Sequence, residues 1–89
     1  MQIEGTVALV TGANGGIGKQ FVEALRTAGA ARIYAGARNP GSVAEIAEID
    51  PQRIIPIQLD ITHEQSIQKA AAQCQDVTLL INNAGVSLN

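Results

Sequence analysis

Four short apolar runs punctuate the chain: "TVALV" (Thr6–Val10), "RIYAGA" (Arg32–Ala37), "RIIPIQL" (Arg53–Leu59) and "VTLLIN" (Val77–Asn82), starting 21 to 26 residues apart. Each has the length and β-branched content of a strand. The gaps between them read as helices. In the first gap, Ile17, Phe21, Leu25 and Ala28 recur at i, i+4, i+8 and i+11, which predicts a helix burying that face. The second gap is shorter, with Ser42 and Glu45 spaced as a capping box and Pro51 just past the helix end. The third opens on Thr62 and Gln65, again a capping-box spacing, and continues with Ile67, Ala70, Ala71 and Cys74 on one face.

Strand and helix in strict alternation place the chain in the α/β class, built from βαβ units with parallel strands. "VALV" and "LLI" are continuous rather than alternating, as strands covered on both faces should be. Pro56 lies inside the third run and cannot donate to a ladder, so that run belongs at a sheet edge. A doubly wound sheet of order 3-2-1-4, with helices on both faces, meets that requirement.

Composition narrows the partners. The chain has 89 residues, 46% of them hydrophobic, and a net charge of −2 with no basic run. Nucleic acid and anionic membrane are therefore poor partners. No stretch reaches the ~20 apolar residues of a membrane span. The start carries Glu4 and no basic head, unlike a secretory signal, and a single cysteine makes no internal disulfide. A cytoplasmic location is expected. No cluster suggests a metal.

The chemistry concentrates in "TGANGGIG" (Thr11–Gly18), between the first strand and the first helix. A glycine-rich strand-to-helix turn presents unpaired helix N–H groups at the sheet's C-terminal edge, where a phosphate is held. Gly12 allows the sharp turn, Gly16 lets backbone approach a pyrophosphate, and Gly18 packs the helix start closely. The segment is not G-x-G-x-x-G. Nor is it a nucleoside-triphosphate loop, because Gln20 stands where Ser or Thr would hold magnesium and Ala13 replaces the first glycine. A glycine-rich turn without ligand is the competing reading.

T-G-x-x-x-G-I-G after a first strand, "LDIT" (Leu59–Thr62) after a third and "NNAG" (Asn82–Gly85) ending a fourth resemble the short-chain dehydrogenase/reductase family. The resemblance covers the whole chain. Gly12, Gly15 and Gly18 also fit the T-G-x-x-G-x-x-G of the family's two-domain branch, but the unbroken N-N-A-G favours the single-domain branch. The resemblance implies the first half of a Rossmann-like fold, with residues 1–89 a dinucleotide-binding half-domain. It implies that Asp60 accepts from the adenine amino group with the Ile61 backbone beside it, and that Asn14 shapes the glycine loop near the adenosine ribose. Ile17 belongs to the same loop. The resemblance further implies that Asn82 and Gly85 lie along the cofactor's ribose, that Ala84 between them is cofactor-binding, and that Asn83 ties the central strands together. Asp60 read without the family is an acid near the third helix's N-terminus.

An NAD-preferring site places a carboxylate at the end of strand 2 to accept from the ribose hydroxyls. That place is "GARN", and no acid occurs between Glu23 and Glu45. Arg38 instead offers a guanidinium suited to a 2′-phosphate. NADP is the expected cofactor, although an exposed arginine at a strand end is ordinary in itself.

Three other residues read as non-catalytic. His63 falls in the first turn of the third helix, facing solvent, and Cys74 lies on that helix's apolar stripe. Tyr34 and Arg38 mimic Tyr-x-x-x-Lys, but on a strand they stand ~13 Å apart. The family's catalytic serine, tyrosine and lysine follow N-N-A-G, and the 89 residues hold no match for them. Three readings stay open: the N-terminal part of an NADP-dependent oxidoreductase acting on a carbonyl or alcohol, a stand-alone nucleotide-binding module, and a truncated product without catalysis. In any of them the fourth strand is an open edge, so self-association or complementation through it is expected.

Overall fold

Glycine placement and apolar runs together build the sheet. A computed structural model describes residues 2–82. Its elements are β1 (Val7–Thr11), α1 (Gly16–Thr27), β2 (Arg32–Ala37), a 3-10 turn (Pro40–Val43), α2 (Ala44–Ile49), β3 (Ile54–Gln58), α3 (Glu64–Gln73) and β4 (Leu79–Asn82). All strand pairs are parallel, in the order β3-β2-β1-β4. Each strand appears where an apolar run predicts it, β2 with the predicted bounds and the others with ends trimmed or shifted by one or two residues. Pro56 sits on the edge strand β3, opposite Ala35.

The two faces of the sheet have separate cores. Ala8, Val10, Ile33, Ala35 and Ile54 meet Val22 and Leu25 of α1 and Val43, Ile46 and Ala47 around α2. On the opposite face Tyr34, Ile57 and Leu59 meet Ala70 and Cys74 of α3. Cys74 is thus a free, buried core thiol, and burial raises its pKa. Tyr34 is also buried, and its hydroxyl donates to Asp76 at 3.0 Å, so it serves packing rather than pairing with Arg38.

The face of α1 differs from the periodic reading. Gly18, Val22 and Leu25 are buried, whereas Ile17 and Phe21 are exposed. Both stripes share Leu25. The smaller one wins because Gly18 lets the helix start lie against the loop at Gly12 and Ala13. In α3 only Ala70 of the helix proper is buried and Ile67 is exposed, so the predicted stripe narrows to Ala70 and Cys74.

Neither capping box forms. Asn39 caps the 3-10 turn by accepting from the Gly41 amide at 3.0 Å, with Pro40 in its first turn. Ser42 turns its hydroxyl back to the Asn39 carbonyl. His63, not Thr62, is the cap residue of α3, and no side chain caps that helix. One stabilising contact has no sequence signal: Arg53 donates to the Ala30 carbonyl and, at 3.0 Å, to Arg26 O, closing the C-terminal end of α1. A cation there also complements the helix dipole.

Candidate functional site

The C-terminal ends of the parallel strands gather the candidate residues on one edge of the sheet, where ligands bind in open α/β folds. Gly12 leaves β1 with φ +64°, a conformation that glycine adopts without penalty. The next residue anchors the loop, as the Ala13 amide donates to the Gly36 carbonyl of β2 at 2.9 Å. Gly15 is the cap residue of α1 and carries no capping side chain, and the first turn of α1 holds no acid. The Gly16, Ile17 and Gly18 amides make no hydrogen bond among the described residues. They leave a patch of positive potential facing outward.

The two helix-start glycines have different physical reasons. A Cβ at Gly18 would stand 2.2 Å from the Gly12 carbonyl oxygen and 2.8 Å from Ala13 Cα, so glycine is required by the fold. A Cβ at Gly16 would meet nothing within 4 Å among the described residues. Packing therefore does not explain Gly16. Asn14 is exposed beside it.

The ends of β2 and β3 supply the second cluster. Arg38 follows β2, exposed, and its guanidinium makes no ion pair among the described residues. A cleft of about 620 Å³ opens beside it, lined also by Gln58, Asp60, His63, Ser66 and Lys69. Asp60 Oδ1 accepts from the Thr62 hydroxyl at 2.5 Å and the Thr62 amide at 2.9 Å. Those two bonds, led by the hydroxyl, hold the Asp60 carboxyl below the usual aspartate range, with smaller attractions from His63 and Arg38. The Asp60 amide donates to Ser66 Oγ at 2.8 Å. Oδ2 faces the exposed imidazole of His63 at 3.5 Å. Ile61 beside it is exposed.

Asn82 joins the glycine loop from β4, where its Oδ1 accepts from the Thr11 hydroxyl at 3.1 Å. The expectations for Asn83, Ala84 and Gly85 lie outside the described residues. The fold thus brings Gly12, Asn14, Gly16, Ile17 and Gly18 together with Asn82 at the β1–β4 end, and Arg38 with Asp60 at the β2–β3 end. Sequence reasoning missed Ser66, Lys69 and Gln58 in the cleft. It read Thr62 as a cap, although the spacing of Asp60 and Thr62 is that of an Asx turn.

Among the described residues, no three His, Cys, Asp or Glu side chains come together as a metal site. No helix there is long and apolar enough to cross a membrane.

Comparison with known proteins places this geometry. A model of the short chain dehydrogenase family matches residues 6–89. Carbonyl reductase [NADPH] 2 of Sus scrofa is 38% identical, over 99% of this chain and 35% of its own length. Human 15-hydroxyprostaglandin dehydrogenase [NAD(+)] is 35% identical, over 98% of this chain and 36% of its own. The crystal structure of a short chain dehydrogenase from Burkholderia cenocepacia J2315 in complex with NADP superposes with a TM-score of 0.84 at 43% identity. That match covers 93% of this chain and 33% of the other. The chain spans about a third of the length of these relatives. It belongs to the short chain dehydrogenase family, whose members are oxidoreductases built on a Rossmann-like NAD(P)-binding fold.

Proposed function

We propose that residues 1–89 form the NADP-binding half-domain of an oxidoreductase acting on a carbonyl or alcohol. The observation that carries this reading is the start of α1. Three amides there lack partners among the described residues, no acid occupies the first turn, and no described residue comes within 4 Å of where a Cβ at Gly16 would stand. A pyrophosphate fits that combination of free donors, helix dipole and open space. The bound dinucleotide would supply or accept a hydride.

The chain's own residues bind and orient. Gly12, Asn14, Gly16, Ile17 and Gly18 would hold the pyrophosphate and the ribose beside it, and Asn82, Ala84 and Gly85 would border the next ribose. Asp60 and Ile61 would receive the adenine. Arg38, without an ion pair among the described residues and at a strand end whose sequence carries no acid, favours the 2′-phosphate of NADP, because a guanidinium donates to it in bidentate fashion. No residue within 1–89 is assigned a catalytic role. A cytoplasmic location accords with the single cysteine.

A partner surface goes with this reading. Among the described residues β4 pairs only with β1, and Leu80 on it is 58% exposed. An unprotected apolar edge of this kind supports self-association, or complementation by a further strand, through β4.

Titration of NADP and NAD against the wild type and Arg38→Asp tests the cofactor assignment. The wild type should favour NADP by about tenfold or more, as expected of a charged hydrogen bond, and the variant should reverse the order. Equal affinity of the wild type for both cofactors would overturn the NADP preference.

A further inference from the structure

Asn14 and Gly15 are the one Asn-Gly pair in the sequence, and they stand in the middle of the glycine loop. The fold does not demand the glycine. Gly15 has φ −79° and ψ 164°, an extended conformation open to any residue. Among the described residues, a Cβ there would meet only the Gly12 carbonyl oxygen, at an ordinary 3.6 Å. Asn14 is exposed, and its side chain makes no hydrogen bond among the described residues. The Gly15 amide makes one, to the Gly12 carbonyl at 3.2 Å, at the long end of the usual range.

We propose that Asn14 is a self-modifying site, at which the Gly15 nitrogen converts the side-chain amide into a carboxylate that closes the dinucleotide site. The inference rests on the pyrophosphate assignment made above and deepens it, by giving that site a built-in means of inactivation.

The reaction needs only water and hydroxide. The Gly15 nitrogen leaves the Gly12 carbonyl, gives up its proton to hydroxide and attacks Cγ of Asn14. A bond forms between that nitrogen and Cγ, the Cγ–Nδ2 bond breaks, and Nδ2 takes up a proton and departs as ammonia. Water then opens the five-membered imide at either carbonyl. Attack at Cγ gives aspartate, attack at the main-chain carbon gives isoaspartate, and nothing is oxidised or reduced. A side chain on residue 15 would crowd the approach, and glycine removes that obstacle. Asn39 is the internal comparison, because Pro40 follows it and has no N–H to give up.

The product stands where it matters. The first turn of α1 holds no acid, and its Gly16, Ile17 and Gly18 amides have no partner among the described residues. A carboxylate on residue 14 lies one residue before the helix cap. It competes for those donors and repels a pyrophosphate. Isoaspartate also adds a main-chain carbon to a loop in which α1 lies too close to Gly12 and Ala13 for any Cβ at Gly18. Negative charge favours the helix start itself, so aspartate lowers binding without unfolding the protein.

The test ages the 89-residue protein in mildly alkaline buffer and follows its tryptic peptides by mass spectrometry. Peptide 1–19, which holds Asn14, should gain the mass of an NH2-to-OH exchange, while peptide 39–53, which holds Asn39, should not. The more acidic fraction, separated by ion exchange, should bind NADP about tenfold or more weakly than fresh protein in calorimetry. Asn14→Asp should reproduce that loss with a thermal midpoint equal to the wild type's or higher, which separates charge from misfolding. Gly15→Ala should stay unconverted and keep its own starting affinity through the same incubation. Conversion of peptide 1–19 no faster than peptide 39–53, or at the same rate in Gly15→Ala, would overturn the proposal. An Asn14→Asp protein that binds NADP as fresh wild type does would also overturn it, while leaving the dinucleotide site intact. Failure of fresh wild type to bind NADP would remove the dinucleotide reading, and this inference with it.

Discussion

Replacing Gly16 and Gly18 by alanine, one at a time, separates a glycine that serves a ligand from one that serves the fold. At Gly18 the new methyl group would lie 2.2 Å from the Gly12 carbonyl oxygen and 2.8 Å from Ala13 Cα, both backbone atoms. Neither can swing aside as a flexible side chain would. Overpacking of this severity belongs at the upper end of the usual range, ~3 kcal/mol. The better helix propensity of alanine returns at most ~1 kcal/mol, leaving a net loss of ~2 kcal/mol. For a domain of this size that lowers Tm by roughly 8–16 °C. At Gly16 the methyl group meets no atom of the described residues within 4 Å, so only the propensity gain applies. Tm should then stay constant or rise by a few degrees. Binding should show the opposite order, because the Gly16 methyl group occupies the space assigned to the pyrophosphate. Thermal melts by circular dichroism, paired with NADP calorimetry, read both quantities. A Gly16→Ala protein that melts as early as Gly18→Ala, or that binds NADP as well as the wild type, would refute the reasoning.

Three further outcomes follow from the same geometry. Leu80→Lys should convert any concentration-dependent association into a monomer in light scattering, since Leu80 is the exposed apolar residue on the open strand, whereas Ile81 packs against the core. Arg53→Met should lower the urea midpoint by the equivalent of about 1–3 kcal/mol, by leaving the Ala30 and Arg26 carbonyls without their cationic donor. The Asp60 carboxyl should titrate below the ordinary ~3.9, and Thr62→Val should move it back up, as followed by carboxyl NMR. Because its folded-state value is depressed, its contribution to stability is fully present above ~3.9 and is lost as pH falls through the lower folded value.

The order and direction of the strands were legible because they depend on coarse signals. Continuous apolar runs mark buried strands, and Pro56 alone orients the sheet by excluding β3 from its interior. The glycine loop was legible for a similar reason, as its spacing encodes a backbone path rather than a side-chain contact. Side-chain choices between near-equal alternatives were not legible. The α1 stripes through Ile17 and through Gly18 differ by one helix position and share Leu25, and hydrophobicity favours the exposed one. The buried one is decided by how closely two backbones approach, which a residue's polarity does not report. Ser42 and Thr62 each match a capping pattern, yet Asn39 with Pro40 and Asp60 offer competing local hydrogen bonds that form instead. Arg53 was invisible for another reason: its partners are carbonyls of residues 26 and 30, which carry no side-chain signature. The candidate site mixes both kinds of information. Gly12, Arg38 and Asp60 stand out in the chain, but the clamp of Thr62 and Ser66 on Asp60 exists only once α3 has folded back against the end of β3.

The most direct measurement is an NMR titration of the isotopically labelled 89-residue protein with NADP, following each backbone amide. The amides of Gly16, Ile17 and Gly18 should shift most, accompanied by those of Arg38, Asp60 and Ile61, while β3 and the C-terminal end of α1 stay unmoved. Saturable binding that leaves the three α1 amides in place and shifts another surface would contradict the assignment of the dinucleotide to this edge of the sheet.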